Sequence, residues 1–342
     1  MIEIVRPDDW HLHLRDGEML DRVLPYTARR CGRAVVMPNL DPPIVTVAEA
    51  ESYRERIRKA TPVGLAFEPL MTLYLTNATT AEEIEAAAAS PFVVGLKFYP
   101  MGATTHSAHG VTSIEGLPSI LETLERTGLP LLMHGESIAE ECDVFDRERE
   151  FLDRTLRPMI ERYEGLRVVF EHITTEEAAA FVSESDERVA ATITPQHLLL
   201  NRNALFDGGL RPHLYCLPVL KRERDREALV AAATGGDPSF FLGTDSAPHE
   251  RVKKESACGC AGIYSAPIAI EAYAEVFHRA GAIERLEAFA SFHGPGYYRL
   301  PRNQDRICLE RVDWRAPDSA KLDEGTIEVF WADQPLHYRV CG

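Results

Sequence analysis

Val93-Val94-Gly95-Leu96-Lys97-Phe98-Tyr99 is a short run of apolar residues interrupted by a single lysine. Adjacent apolar residues such as Val93 and Val94 indicate a strand that is buried on both faces, which is typical of parallel sheets covered by helices. The pairs Leu131-Leu132 and Val168-Val169 show the same pattern. The sequence therefore predicts a parallel β-sheet enclosed by other elements.

Strand-like runs alternate with helical stretches between Glu3 and Tyr298, and this alternation predicts parallel strands joined by crossover helices. Helix-start signals fall between the runs, such as Thr46 ahead of Val47-Ala48-Glu49 and the segment Thr79-Thr80-Ala81-Glu82-Glu83. The predicted strands cover residues 3–5, 34–37, 69–75, 93–98, 129–134, 167–172, 189–193 and 240–245.

Eight strands in 342 residues favour a (β/α)8 TIM-type barrel, an α/β fold that fills a chain of this length as one domain. We expect a single domain over 1–342, with the barrel at about 1–300 and a C-terminal extension at about 301–342 packed outside it. An open doubly wound sheet is the alternative. No G-x-G-x-x-G phosphate loop follows any predicted strand, which disfavours that alternative.

The composition is that of an ordinary globular protein, with 45% hydrophobic and 26% charged residues. A formal net charge of −16 disfavours binding to nucleic acid or to anionic lipid surfaces. The sequence shows neither a secretory signal nor an apolar run of about 20 residues that could span a membrane. Its seven cysteines are an odd number, which favours reduced thiols over a disulfide framework. We therefore expect a cytoplasmic protein. Cys258 and Cys260 predict a packed or turn-bound thiol pair rather than a zinc knuckle, because no second pair of ligands lies nearby in the sequence.

The segment Trp10-His11-Leu12-His13-Leu14-Arg15-Asp16 follows the first predicted strand and carries two histidines. Residues i and i+2 of an extended chain point to the same side, so His11 and His13 can present two imidazoles to one metal ion. Taken alone, the H-x-H pattern is weak, because histidines are common on surfaces and in cores.

Three other predicted strands each end in a residue of a type that can bind metal ions. His134, His172 and Asp245 each close a run. In a barrel the carboxyl ends of all strands open at one mouth, so these side chains and the H-x-H pair should converge there. The sequence therefore predicts a metal site at the barrel mouth.

Lys97 lies inside a predicted barrel strand, where a buried ammonium is costly without a partner. Two interpretations remain open for it. In one, the lysine pairs with a carboxylate at the barrel mouth. In the other, an amine with a depressed pKa has reacted with CO2, and the resulting carbamate bridges two metal ions.

These motifs resemble those of the dihydroorotases, members of the amidohydrolase superfamily, and specifically of the shorter type found in many bacteria. The resemblance covers nearly the whole chain. It rests on Arg6-Pro7-Asp8-Asp9-Trp10-His11-Leu12-His13-Leu14-Arg15-Asp16, Met37-Pro38-Asn39-Leu40, Glu171-His172-Ile173-Thr174-Thr175, Gly243-Thr244-Asp245-Ser246-Ala247-Pro248-His249 and Lys253-Lys254-Glu255-Ser256-Ala257-Cys258-Gly259-Cys260-Ala261-Gly262.

The resemblance implies a centre with two Zn²⁺ ions per subunit. His11, His13 and Asp245 would hold the more buried ion. His134 and His172 would hold the more exposed one, and carbamylated Lys97 and a hydroxide would bridge the pair. The implied reaction is the reversible hydrolysis of the cyclic amide of dihydroorotate to N-carbamoyl-aspartate, in a homodimer, with Asp245 as base and then acid.

The resemblance also implies the substrate contacts. The carboxylate of the substrate would be bound by Arg15, Asn39 and His249, and the ring by backbone groups of Leu217 and Ala261. Further contacts would come from His134 at the metal centre and from Thr104 and Thr105 on a lid over residues 100–110. Met101, Gly102 and His106 in this loop depart from the Asn-containing context that is typical of the family.

Two other functions are compatible with these residues. The first is another cyclic amidase of the superfamily, such as a hydantoinase, dihydropyrimidinase or allantoinase, with the same metals and a different ring. Arg15 argues against it, because its guanidinium suits an anionic substrate. The second is a catalytically silent barrel that supports a partner enzyme, and the presence of all six metal-type residues argues against that.

Overall fold

The computed structural model describes residues 1–105, 107–332 and 334–341. Its strands are β1 Ile2–Val5, β2 Asp8–Leu12, β3 Arg33–Val36, β4 Glu68–Tyr74, β5 Val93–Phe98, β6 Leu131–His134, β7 Val168–Glu171, β8 Val189–Ile193, β9 Phe240–Leu242, β10 Arg306–Trp314, β11 Ser319–Lys321, β12 Thr326–Glu328 and β13 Leu336–Val340. Its α-helices are α1 Gly17–Arg30, α2 Val47–Ala60, α3 Ala81–Ala89, α4 Pro118–Thr127, α5 Arg147–Phe151, α6 Arg157–Arg162, α7 Glu176–Glu184, α8 Pro195–Leu199, α9 Glu223–Gly235, α10 Arg251–Lys254, α11 Ala269–Arg279, α12 Leu286–Ser291 and α13 His293–Tyr298.

Strands β2 to β9 form one parallel sheet in which each strand pairs with the next along the chain. The sheet closes on itself where Leu12 bridges Ser246 and the Asp245 N–H donates to the carbonyl of His11 at 2.8 Å. Helices follow the strands and cover the outer face. The predicted (β/α)8 barrel is confirmed.

Threonines begin several of the outer helices, as the sequence indicates. The Thr46 side chain accepts from the Glu49 N–H while the Glu49 carboxylate accepts from the Thr46 N–H, which satisfies two free donors of α2. Thr80 caps α3 in a similar way through the Glu83 N–H. Both predicted helix starts are confirmed.

The prediction that residues 3–5 form the first barrel strand is wrong. Strand β1 pairs antiparallel with β10, outside the barrel. The first barrel strand is β2, so the histidine motif begins inside a strand rather than after one. The strand was not predicted because it begins with two aspartates, which are rare in buried strands. In the structure both carboxylates have partners: Asp8 pairs with Arg33 at 2.6 Å, and Asp9 accepts a hydrogen bond from the Thr244 hydroxyl at 2.6 Å.

Large apolar side chains fill the barrel interior beneath the mouth. The Trp10 ring stacks on Tyr298 of α13, with the ring centroids 4.5 Å apart. A side chain at Gly294 would collide with the Trp10 indole, so α13 can approach this closely only with glycine there. The interior group comprises Trp10, Val35, Met37, Leu70, Leu132, Val169, Ala190, Phe241 and Tyr298. It forms a solid floor under the functional end of the barrel.

The C-terminal segment packs outside the barrel as small antiparallel sheets. Strands β1, β10 and β13 form one sheet, and β11 pairs with β12. Among the described residues, no helix has the length and apolar character needed to span a membrane.

Candidate active site

The six predicted ligands lie at or near the carboxyl ends of barrel strands. His11 lies in β2, Lys97 in β5, and His134 is the last residue of β6. His172 follows β7 directly, and Asp245 comes shortly after β9. All six side chains are buried: His11, His13, Lys97, His134, His172 and Asp245. Because these strand ends open at one mouth, ionisable groups accumulate there away from water.

His11, His13 and Asp245 form one compact group whose ligand atoms lie within 4.8 Å of one another. Asp245 Oδ1 is 3.4 Å from His11 Nε2 and 3.2 Å from His13 Nε2. Burial raises the pKa of Asp245, but the contacts with the two histidines outweigh burial and bring that pKa well below its usual value. Two imidazoles and a carboxylate therefore face a common point.

Asn39 orients His13. Its Oδ1 lies 2.8 Å from His13 Nδ1, so Nδ1–H donates to the amide and Nε2 is left to face Asp245. Burial lowers the pKa of His13 to about 4, and the neutral imidazole is the form that binds metals. The amide N–H groups of Asn39 are its remaining donors, and they are the atoms through which it would serve the predicted substrate role.

Glu171 is a buried residue of the site that the sequence analysis did not assign. Its carboxylate groups with His11 and His172, with ligand atoms within 4.8 Å of one another. Glu171 Oε1 is 2.9 Å from His11 Nδ1, and Oε2 forms an ion pair with the Lys97 ammonium. Burial lowers the pKa of His11, but Glu171 outweighs it and raises that pKa to about 9. A metal ion at His11 would therefore displace a proton.

Strand alternation explains why Glu171 escaped notice. Neighbouring residues of a strand point to opposite faces, so an inward His172 implies an outward Glu171. In the structure Glu171 faces inward, as Val169 does two positions earlier, and His172 with a φ of 43° turns the chain at the end of β7 so that its side chain enters the barrel as well. The pairing of glutamate with histidine in the Glu171-His172 motif was the one available signal.

Lys97 is fully buried, and burial lowers the pKa of its ammonium although Glu171 acts in the opposite direction. Its Nζ lies 4.5 Å from the centroid of the Tyr99 ring. The lysine thus pairs with a carboxylate at the barrel mouth, as one of the two interpretations has it. A lowered pKa also favours the neutral amine that a carbamate requires.

His134 lies beside His172, outside the compact group of His11, His13 and Asp245. Its ring is 4.9 Å from that of His172, and its Nε2 is 2.9 Å from Glu136 Oε2. Glu136 is also buried and was not predicted, because a glutamate two residues beyond a strand is common on protein surfaces. The two unpredicted carboxylates, Glu171 and Glu136, each contact one of the predicted histidine ligands.

Three site residues adopt backbone conformations that L-residues rarely take: Arg15, His172 and Asp245 have φ of 59°, 43° and 45°. Such strain needs support from the surroundings. Asp9 supplies part of it by accepting from the Thr244 N–H at 2.9 Å. The His172 N–H donates to the Thr192 hydroxyl at 2.7 Å. The fold therefore holds the ligands in place before any ion binds.

Arg15 and His249 lie together beside the ligand group. Arg15 Nη2 is 3.1 Å from His249 Nε2, and Arg15 Nε donates to the carbonyl of Pro248 at 3.2 Å. Burial and the Arg15 charge lower the pKa of His249 to about 2, so this histidine is neutral at physiological pH. One permanent positive charge therefore dominates this side of the site.

A cavity of about 20 Å³ joins these parts. The Ala261 N–H donates to the Thr105 hydroxyl at 3.1 Å, so the loop at 100–110 closes over the ligands. Its residue His106 lies outside the described residues. The cavity is lined by His11, His13, Arg15, Asn39, Tyr99, Thr104, Thr105, His134, His172, Leu217, Asp245, Ala247, Ala261 and Gly262. Since this volume holds about one water molecule, the loop must move to admit a ring substrate.

The donor set fits divalent metal ions. His172 Nδ1 is buried and has no hydrogen-bond partner within the described part of the chain. Imidazole and carboxylate are ligands that Zn²⁺ prefers, and a buried lone pair is costly unless a cation or water meets it.

Cys258 and Cys260, whose Sγ atoms are 3.8 Å apart, form a thiol pair on the loop that leads to Ala261.

Comparisons with known proteins agree with this geometry. The model of the amidohydrolase family matches residues 4–308. A dihydroorotase of Methylobacillus flagellatus is 63% identical over 318 residues, which is 93% of this chain and 92% of that protein. The crystal structure of a Campylobacter jejuni dihydroorotase has a TM-score of 0.91 at 33% identity, covering 100% of this chain and 97% of that one.

The crystal structure of Saccharomyces cerevisiae dihydroorotase in complex with 5-fluoroorotic acid gives the same TM-score of 0.91. It is 32% identical and covers 100% of this chain and 99% of that one. Family model, curated relative and solved structures thus agree over nearly the full length. The chain therefore belongs to the amidohydrolase family and, within it, to the dihydroorotases.

Proposed function

We propose that the chain catalyses the reversible hydrolysis of the ring amide of (S)-dihydroorotate to N-carbamoyl-L-aspartate, the third step of pyrimidine biosynthesis. One observation carries this proposal: a single cavity is lined both by the metal-type side chains and by Arg15 and Asn39. The first set suits hydrolysis of an unactivated amide, and the second suits a carboxylated ring. The yeast relative, whose complex contains the carboxylated pyrimidine 5-fluoroorotic acid, supports this assignment.

The metal centre in this proposal holds two Zn²⁺ ions. His11, His13 and Asp245 would hold one ion, and His134 and His172 the other. Two bound cations would lower the pKa of a shared water and polarise the ring carbonyl. The family is metal-dependent, and the compact group of His11, His13 and Asp245 supports the first position.

Lys97 would bridge the two positions as a carbamate. In that reaction the neutral amine attacks CO2, an N–C bond forms and a proton is released. The carbamate would then stand beside the Glu171 carboxylate, which contacts the unmodified ammonium in the structure. Two neighbouring anions repel unless cations lie between them, so the modification and the metal ions should stabilise each other.

Asp245 moves the proton in this mechanism. As a carboxylate it can accept a proton from the attacking water and deliver it to the departing ring nitrogen. In the reverse direction it takes the proton from the carbamoyl nitrogen as that atom closes on the side-chain carboxylate and water leaves. The hydrogen bond from its N–H to the His11 carbonyl fixes its backbone relative to the ligands.

Arg15 binds and orients the substrate carboxylate, helped by the amide N–H of Asn39 and by His249. Backbone groups of Leu217 and Ala261 hold the ring, and Thr104 and Thr105 close over it and exclude water. A planar guanidinium offers two parallel hydrogen bonds to a carboxylate. This pairing favours dihydroorotate over hydantoins, dihydrouracil or allantoin, which lack the carboxylate.

An assay of dihydroorotate hydrolysis before and after chelation tests the proposal, together with zinc analysis of the purified protein. We expect activity with about two zinc ions per chain, loss of activity on chelation and recovery with added Zn²⁺. Hydantoin, dihydrouracil and allantoin serve as comparison substrates. Faster turnover of one of these would favour another cyclic amidase, and a protein without bound zinc or activity would be a silent scaffold.

We also propose that the protein acts as a homodimer in the cytoplasm. The basis is its family, together with its seven cysteines, all free thiols, as expected in a reducing compartment. Light scattering of the purified protein would measure the mass directly. A mass of one chain, 38.2 kDa, at working concentration would contradict the dimer.

A further inference from the structure

The side chain of Lys254, the last residue of α10, is buried close to the active site and is only 3% exposed. Its ammonium donates to the carbonyls of Tyr215, Cys260 and Gly262 at 2.7, 2.9 and 2.8 Å. Within the described ranges no carboxylate lies within 4.0 Å of it. All three N–H donors therefore go to backbone carbonyls, which is an unusual use of a buried charge.

The three carbonyls belong to the two segments that form one wall of the catalytic cavity. Tyr215 lies two residues before Leu217, and Cys260 and Gly262 flank Ala261. Leu217 and Ala261 both line the cavity. The Gly262 N–H also donates to the Tyr215 carbonyl at 3.0 Å, so the two segments touch directly beneath the ammonium.

The segment that contains Cys260 and Gly262 needs stabilising contacts from outside the segment. Cys260 has a φ of 25°, which is costly for an L-residue, and Gly259 and Gly262 have φ of 71° and 151°. A side chain at Gly262 would come within 2.7 Å of the Ala247 carbonyl oxygen, so the segment lies tightly against the chain that follows Asp245. Local backbone preference does not favour this path, and hydrogen bonds from Lys254 compensate.

We propose that Lys254 is a positioning residue that sets the distance between the backbone groups of Leu217 and Ala261, and so the slot that receives the substrate ring. The proposal rests on the proposed function, because the ring contacts of those two residues belong to it. Burial lowers the pKa of Lys254 to about 8, so its charge is retained at neutral pH. Lys254 itself is not among the residues that line the cavity.

The test compares Lys254→Met with Lys253→Met. Lys253 is the preceding residue, but it is exposed and pairs with Glu250 at 2.7 Å, so it controls for loss of one lysine from the same helix. We expect Lys254→Met to raise KM for dihydroorotate about tenfold or more while kcat changes less than about threefold, because hydrogen bonds from a charged donor to the wall are lost. Zinc content should stay at the wild-type level, and Lys253→Met should behave as wild type.

Amide hydrogen exchange gives a readout that does not depend on activity. In Lys254→Met, peptides containing residues 215–217 and 260–262 should exchange faster than in wild type, while those from β5 and β7 should not change. Lys254→Arg retains a charged donor and should give a KM between those of wild type and Lys254→Met. This second variant keeps the test valid if the methionine variant fails to fold.

An unchanged KM, or unchanged exchange in both segments, would overturn the positioning role. Loss of zinc and kcat together with KM would also overturn it, because Lys254 would then support the fold as a whole. If wild-type protein does not hydrolyse dihydroorotate, the proposed function fails. The exchange experiment still decides whether Lys254 holds the two segments together.

Discussion

The two ends of the barrel carry cavities of opposite character. The one at the mouth measures about 20 Å³ and is lined by histidines, Asp245 and Arg15. The one at the opposite end measures about 700 Å³ and is lined by four arginines among other residues: Arg167, Arg188, Arg299 and Arg302. By size and positive charge, the second cavity looks the better site for an anionic ligand.

The partners of the side chains reverse that impression. At the large cavity Arg188 pairs with Asp186 at 2.8 Å, and Arg167 donates to the carbonyls of Gly128 and Tyr297. At the mouth, imidazole and carboxylate groups crowd together, and His172 Nδ1 has no partner within the described ranges. We therefore expect the active site at the mouth, where buried polar groups converge and one of them has no hydrogen-bond partner. The volume of a cavity does not by itself identify the active site.

Substitution of Asp245 should cause the largest loss of activity at the mouth of the barrel. In Asp245→Asn the amide cannot accept the proton and binds zinc poorly, so we expect kcat to fall by about 10²–10⁴. Steady-state assays at saturating Zn²⁺ would measure it. Asp186→Asn, which removes the partner of Arg188 at the opposite end, is the control and should retain wild-type kcat. A tenfold loss or less in Asp245→Asn would contradict the proton-transfer role.

Lys97→Ala should remove the proposed bridge and nearly all activity. Acetate or propionate in the assay should restore part of it, because a short carboxylate can occupy the place of the carbamate. Methylamine is the control and should restore none, since it supplies only the ammonium. Full activity of Lys97→Ala without added acid would rule the bridge out and leave the ion pair with Glu171 as the role of this lysine.

Arg15→Met should affect substrate binding while sparing the metal centre. Loss of a charge-assisted contact to the substrate carboxylate should raise KM for dihydroorotate about 10- to 100-fold, with normal zinc content. Arg56→Met is the control, because Arg56 is exposed on the rim and pairs with Asp16 at 2.8 Å. Unchanged kinetics in Arg15→Met would refute carboxylate recognition by this residue.

The sequence predicted the barrel because buried parallel strands leave a strong local pattern, as at Val93 and Val94. It misplaced the first strand because Asp8 and Asp9 look like loop residues until their distant partners, Arg33 and Thr244, are known. That error concerns polar groups that only the folded chain satisfies.

The same limit applies to the site. The candidate ligands were visible because histidine and aspartate close apolar runs. Glu171 was not, because an inward His172 implies an outward Glu171 in a regular strand, whereas His172 enters the barrel through its left-handed backbone and Glu171 faces inward as Val169 does. The role of Lys254 was also hidden in a recognised motif, because its acceptors are backbone carbonyls that no side-chain pattern reveals.

The smallest effect is expected at the opposite end of the barrel. Arg302 is exposed, and its guanidinium lies 3.9 Å from the centroid of the Phe292 ring. Arg302→Ala should cost about 0.5–1 kcal/mol of stability through this exposed contact, measured by chemical unfolding. Its kcat and KM should match wild type, because the apolar floor around Trp10 and Tyr298 separates the two cavities. A change in KM of more than about threefold, with zinc content unaltered, would show that the arginine-lined end is coupled to the mouth, and a bound anion there would then become a candidate regulator of the enzyme.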